Sequence, residues 1–271
     1  MKINTATIIY FSPTGTTKNI INSIAKGMDI VINNTIDITS FKVRSTVVPI
    51  IDGDIVLIGV PVYEERIPKI LYPFLTSLKG NKQPVVLVAV YGNIGEGIVL
   101  NELNFITKNS GFKVVAAGSF IGEHSFSTKE VPVEEGRPNY EDLSKAEEFG
   151  RSIIKKMQNI KDLNDTLLEI PQGKLPLMAK ILPQNSARIF TKTPFADMSI
   201  CNHCGACVKL CPMNAINKDT LKISEKQCLR CFCCVKRCPK KARKIIYKPK
   251  FIVSKILTAK NKIKREPKIY L

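Results

Sequence analysis

The feature that most constrains this chain is one cysteine pattern used twice between residues 201 and 239. The first copy places Cys201, Cys204, Cys207 and Cys211 ahead of Pro212; the second places Cys228, Cys231, Cys234 and Cys238 ahead of Pro239. Each reads C-x2-C-x2-C-x3-C-P. Three thiolates at i, i+3 and i+6 come from one tight loop and can reach three corners of one [4Fe-4S] cube. The fourth lies a helical turn further on and points away, and in two-cluster modules it ligates the other cube. The rule assigns Cys201, Cys204, Cys207 and Cys238 to one cluster and Cys228, Cys231, Cys234 and Cys211 to the other. Zinc would call for two separated C-x2-C pairs, without a third cysteine at the same spacing and a Cys-Pro after it. Disulfides would need an oxidising compartment, and nothing in the sequence marks the chain for secretion. The ninth cysteine, Cys233, falls opposite Ala206 when the copies are superposed. It reads as a small, apolar-behaving residue, with an extra ligand or an oxidisable thiol as the alternative.

At 271 residues, 44% of them hydrophobic, the chain has room for about two domains with a real core. Its charge is divided. Residues 1–150 carry 14 Lys and Arg against 16 Asp and Glu, whereas residues 151–271 carry 27 against 7. The two clusters offset part of that excess, at roughly −2 each with their thiolates. The lysines of the basic half, among them Lys236, Lys240, Lys241, Lys244 and Lys248, are expected to raise cluster potentials and to steer acidic redox partner proteins. A purely solubilising face is the alternative. No stretch reaches the roughly 18 apolar residues of a membrane span, and the apolar run at 8–11 is too short for a signal-peptide core. A reducing cytoplasm, and an anaerobic host, are the expected setting. The oligomeric state is not legible.

Residues 1–160 alternate apolar strand runs with amphipathic helix patterns. Strands are expected near 2–11, 29–38, 54–60, 84–91 and 113–121, and helices near 15–27, 68–78, 96–109 and 140–160. Five such units with strands buried on both faces predict a doubly wound parallel α/β sheet. Residues 161–200 read as a linker interrupted by Pro171, Pro176, Pro183 and Pro194, with a short helix expected around 177–182. Residues 201–245 form the cluster module, an internal duplication in which Cys228 repeats Cys201 and each later cysteine of the pattern follows in register. Each copy carries an alanine, Ala215 or Ala242, three residues after its Cys-Pro proline. Residues 246–271 read as a basic tail.

The first strand runs into Ser12, Pro13, Thr14, Gly15, Thr16 and Thr17 just before a helix. Backbone N–H groups and the positive end of a helix dipole gather there, four hydroxyls add donors, and one glycine lets the chain turn closely. The spacing is neither a Walker loop nor a G-x-G-x-x-G fingerprint. It suits one terminal monophosphate, as in FMN; a hydroxyl-rich helix cap is the alternative. In an open parallel sheet the ligand lies beyond the carboxyl ends of the strands. Two further loops leave those ends: Pro61, Val62 and Tyr63 after the third strand, and Tyr91, Gly92 and Asn93 after the fourth. Either tyrosine could stack on an isoalloxazine. His124, after the fifth strand, could titrate near a flavin or serve as a structural hydrogen-bonding residue. His203, between two ligands, reads as a solvated loop residue.

With these residues in view, the S-P-T-G-T-T loop resembles the phosphate loop of flavodoxins, and P-V-Y and Y-G-N resemble the two flavin loops of that family. Together with the cysteine runs, the chain resembles the flavodoxin–ferredoxin fusion proteins of anaerobes. The resemblance covers residues 1–160 and 201–245. It implies a flavodoxin-like sheet in the order 2-1-3-4-5, bound FMN, a small α+β dicluster ferredoxin-like module, and electron transfer. Two departures stand out: no tryptophan is available to face the flavin, and the chain is basic where such carriers tend to be acidic. The leading expectation is an electron-transfer protein that passes electrons between two [4Fe-4S] clusters and FMN, coupling one- and two-electron steps. A flavin-dependent reductase or oxidase fed by the clusters is the second expectation. Nucleic-acid binding through the basic half is disfavoured, because no recognised nucleic-acid motif accompanies the charge.

Overall fold

The computed structural model describes residues 1–46, 51–163, 168–177 and 185–271. The apolar runs form strands β1 (Thr5–Tyr10), β2 (Val31–Asp37), β3 (Ile55–Pro61), β4 (Pro84–Tyr91) and β5 (Lys113–Ile121). They lie parallel in the order β2-β1-β3-β4-β5. Every residue of β3 and β4 is buried, as strands covered on both faces must be. Helices α1 (Thr16–Met28) and α5 (Tyr140–Asn159) cover one face through Ile20, Ile21, Ile24, Phe149 and Ile153. After the short α2 (Phe41–Arg44), helices α3 (Tyr72–Ser77) and α4 (Val99–Asn109) cover the other face through Phe74, Leu75, Leu103 and Ile106. A capping box starts α5: the Asn139 side chain accepts from Asp142 N, and the Asp142 carboxylate accepts from Asn139 N.

The sheet has a sixth strand that the sequence reading did not anticipate. β6 (Lys268–Tyr270) pairs antiparallel with β5 and covers what would have been an open edge. Residues 246–271 are therefore not a free tail. They contain a 12-residue helix, Lys250–Asn261, whose Val253 and Leu257 bury at i, i+4 spacing against Val131, Val133 and Tyr247. The apolar residues mixed among the lysines include that buried stripe. Residues 178–184, with Pro183 and most of the helix expected at 177–182, lie outside the described residues. Helix α6 (Ala187–Phe190) follows them.

The duplication of the cysteine module is a pseudo-twofold in three dimensions. Helices α7 (Ala206–Lys209) and α8 (Cys233–Lys236) occupy equivalent places, and the long C-terminal helix is α9. The bridge Ala196–Arg243 is matched at the equivalent positions of the repeat by Ile223–Ile216. The bonds Asp197 N to Ala242 O and Ser224 N to Ala215 O match in the same way. The repeat thus reaches back past Ala196, ahead of the first cysteine. Left-handed backbone recurs in register: His203 with Arg230, Gly205 with Phe232, and Asn214 with Lys241.

Candidate cofactor sites

Cysteines of the two runs come close to one another across the repeat. Cys201, Cys204, Cys207 and Cys238 line one cavity together with Gly205, Leu221 and Ala242. Cys211 instead lies within electrostatic range of Cys231, Cys233 and Cys234, and Cys228 acts on Cys234. The duplicated alanines have a shared task. Ala215 N donates to Cys211 Sγ and Ala242 N to Cys238 Sγ, both at 3.3 Å. Each is nearly fully buried, so a larger side chain would displace the amide from the sulfur. Burial pushes the thiols of Cys233 and Cys234 up to about 12 and that of Cys231 well above its usual value. Without a cluster these three thiols are protonated near pH 7, and a cluster bound through Cys231 and Cys234 would displace their protons. Cys233 is 2% exposed and its Sγ donates to Leu210 O at 3.4 Å, a packed thiol at the first position of α8.

Arg243 is a residue that sequence reading missed. It is buried, and donates to Pro194 O at 3.1 Å and Leu221 O at 2.7 Å, carbonyls that occupy equivalent positions in the two copies of the repeat. It lines the cavity of the first cysteine set, and its charge partly opposes the burial that raises the Cys234 thiol in the second. A permanent positive charge thus stands between the two sets. The exposed lysines Lys240, Lys241, Lys244 and Lys248 lie further out.

At the carboxyl ends of the strands, the loop at 12–17 gathers hydroxyls and amides at the opening of α1. Gly15 takes φ 98°, a left-handed conformation, and opens α1 without a side chain of its own to cap it. Lys18 N donates to Ser12 Oγ at 3.0 Å, and Ser12 N to Thr39 Oγ1 at 2.7 Å, which fixes the loop. Thr17 is fully buried and its Oγ1 has no partner. Thr14 and Thr16 are half-buried beside it. A buried hydroxyl without a partner costs about 1–3 kcal/mol, which an anion in the loop would recover.

The loop after β3 continues the sheet for one more residue, with Val62 N donating to Val90 O. It then makes a tight turn closed by Tyr63 and Arg66, with Glu64 and Glu65 both left-handed. Asn-Gly would be the ordinary choice there. The two carboxylates explain the exception: Glu64 accepts from Asn185 N, Ser186 Oγ and Ala187 N, tying the linker to the sheet, while Glu65 faces Lys260 and Arg265. The hydroxyl of Tyr63 is buried within electrostatic range of Cys231 and Cys233, and burial holds its pKa well up.

Tyr91 and Tyr63 do not share one environment. Tyr91 is 3% exposed, and its hydroxyl is surrounded by Glu96, Arg265, Arg137 and Glu134. Gly92 is required by close approach, since a Cβ there would stand 2.5 Å from the backbone of His124. Asn93 is fully buried; its Nδ2 donates to Ile263 O at 2.8 Å and Lys260 O at 3.3 Å, and its Oδ1 has no partner. The C-terminal segment therefore shapes this loop. His124 Nδ1 accepts from Phe126 N at 3.0 Å. Burial and then Lys236 lower its pKa to about 4, so it is neutral near pH 7 with its proton on Nε2.

The module is docked on this end of the sheet. Phe232 packs edge-on against Phe126 at 5.1 Å between centroids, and Phe126 against His124 at 5.1 Å. Leu229 packs against the core beneath α3 and α4. Lys236 Nζ pairs with Glu123 and donates to Ser127 O, and Arg44 donates to Pro212 O. Phe232 replaces the glycine of the first copy yet keeps left-handed backbone, φ 55°. That conformation costs about 1–3 kcal/mol for a non-glycine residue. Burial of the ring to 2% exposure offsets it.

A flavodoxin-domain model matches residues 7–165 and a 4Fe-4S dicluster-domain model matches residues 200–242. No curated protein matches the chain. Solved structures similar to it include a flavodoxin from the domain Archaea, at 14% identity and TM-score 0.39, covering 57% of this chain and 99% of that one. A Streptococcus pneumonia TIGR4 flavodoxin matches at 15% identity and TM-score 0.39, covering 56% and 99%. A short-chain flavodoxin associated with a PDU bacterial microcompartment matches at 18% identity and TM-score 0.42, covering 57% and 99%.

Proposed function

Because this chain belongs to the flavodoxin family and carries a 4Fe-4S dicluster domain, we propose that it moves electrons within one molecule between two [4Fe-4S] clusters and FMN. In this reading the ligand sets are Cys201, Cys204, Cys207 and Cys238, and Cys228, Cys231, Cys234 and Cys211. The loops at 12–17, 61–63 and 91–93 hold the flavin. The observation that carries the proposal is the position of the second cysteine loop. Leu229, Phe232 and the surroundings of Tyr63 bring it against the loops at the carboxyl ends of β3 and β5, where an open sheet binds its ligand.

When bound, the flavin supplies two-electron acceptance and the clusters one-electron exchange. The chain's own residues do the rest. Leu229, Phe232 and Phe126 keep water from the junction. The amides of Ala215 and Ala242 hold two thiolates in place, and Arg243 offsets negative charge between the sets. His124, held neutral, adds no charge at the junction. Cys204 is exposed, on a module whose Lys240, Lys241 and Lys244 are also exposed. That face suits an acidic one-electron donor, steered by charge and sensitive to salt. Among the described residues no helix is long and apolar enough to cross a membrane.

Anaerobically purified protein should contain about eight iron, eight sulfide and one FMN per chain. A potentiometric titration followed by visible and EPR spectra should resolve both cofactor types. Zinc without sulfide, or FAD in place of FMN, would overturn the assignment. The phosphate loop has its own test. Thr17→Val removes the unpartnered hydroxyl at nearly constant shape. The flavin-free protein should become no less stable, while FMN affinity should fall about tenfold. Equal loss of stability and affinity would mean that Thr17 only packs.

A further inference from the structure

We propose that Arg237, on the iron-sulfur module, completes the FMN phosphate site of the flavodoxin domain, so that cofactor binding and module docking are one equilibrium. The inference rests on the phosphate-loop reading and goes beyond it, because it assigns a ligand from the other domain. Arg237 Nη2 lies 2.7 Å from where a Cβ on Gly15 would stand, and its Cζ 3.4 Å away. The guanidinium takes no acceptor from the protein among the described residues, in hydrogen bond or ion pair, although it stands at the junction of two domains.

Arg237 is exposed, but its backbone is held in place. The preceding residue, Lys236, is pinned by Glu123 and Ser127 O. The following residue, Cys238, is held in the first cysteine set and receives the Ala242 amide. Arg237 N itself donates to Cys233 O at 2.9 Å. The backbone is thus fixed on both sides, and the side chain extends to the opening of α1.

The electrostatics of this arrangement call for an anion. The opening of α1 has no cap from Gly15 and carries the positive end of the helix dipole. A guanidinium brought to the same spot is repelled unless negative charge sits between them. A phosphate monoester carries that charge, and its oxygens match the planar donor fork of arginine. The same loop holds the buried, partnerless Oγ1 of Thr17. A bound phosphate would satisfy the loop and the arginine together and draw the module onto the sheet. A flavin without phosphate would leave the repulsion in place.

The test compares FMN with riboflavin by fluorescence titration of flavin-free, cluster-loaded full-length chain. Wild type should bind FMN much more tightly than riboflavin. Arg237→Gln should weaken FMN at least tenfold and leave riboflavin unchanged, while Arg237→Lys, which keeps charge but not the fork, should fall between. An FMN-to-riboflavin affinity ratio unchanged in Arg237→Gln would overturn the proposal while leaving the phosphate loop standing. A wild type without preference for FMN would overturn both. If Arg237→Gln fails to assemble clusters, Arg237→Lys decides alone: a reduced ratio supports the assignment and an unchanged one refutes it.

Discussion

Replacing Cys211 with alanine should remove the cluster of the second cysteine run, not the one nearest in sequence, and iron should fall from about eight to about four per chain. The expectation follows from where the fourth thiol of each run lies. Cys238 stands in the cavity of Cys201, Cys204 and Cys207, and Cys211 acts on Cys231 and Cys234. Loss of one thiolate opens one corner of a cube in a half-buried site, where no spare cysteine is positioned to take over. Cys233 is the only other thiol nearby, and it is engaged with Leu210 O and strongly protonated. The EPR signal lost in Cys211→Ala should therefore be the one lost in Cys228→Ala. The signal lost in Cys238→Ala should be the one lost in Cys201→Ala. If Cys211→Ala instead reproduces the spectrum of Cys201→Ala, each run keeps its own fourth ligand and the interlacing is wrong.

The parallel sheet was legible in the local pattern, and its strand order followed from the family resemblance. Strands buried on both faces read as continuous apolar runs, and C-x2-C-x2-C gathers three cysteines in one loop by chain geometry. What escaped was decided by tertiary contact. Nothing local says that Lys268, Ile269 and Tyr270 form a strand; the open edge of β5 makes them one. The stripe of Val253 and Leu257 was hidden among lysines until Val131 and Val133 gave it a surface. The surroundings of the Tyr91 hydroxyl were hidden too: Glu96 and Arg265, the latter from the C-terminal segment, stand near it. Lys236 read as part of a basic face, and it instead pairs with Glu123 at the junction between domains. One signal was available and informative: Phe232 stands where the first copy has Gly205. A bulky residue at a position that demands left-handed backbone must be compensated by something outside the repeat.

That substitution supplies the cleanest handle on function. Phe232→Gly restores the residue that the equivalent loop uses, so cluster assembly should be retained and backbone strain relieved. It also removes the ring that packs on Phe126. Burying an aromatic side chain of this size is worth about 1.5–3 kcal/mol, and each 1.4 kcal/mol is roughly a factor of ten in the docked population. Lys236→Glu adds like-charge repulsion where Lys236 now pairs with Glu123. In the wild type, flavin bleaching after rapid mixing with a one-electron reductant should proceed at a rate independent of protein concentration, since the partners share one chain. The linker does not set that rate by swinging, because Glu64 ties it down at Asn185, Ser186 and Ala187. The Phe232→Gly, Lys236→Glu double variant should carry its full iron and sulfide yet bleach its flavin at least tenfold more slowly. The residual rate should rise with protein concentration, as transfer between molecules takes over. A double variant as fast as wild type at every dilution would show that the docked face is not the electron path. A wild-type rate proportional to concentration would show that the two domains share a chain without exchanging electrons within it.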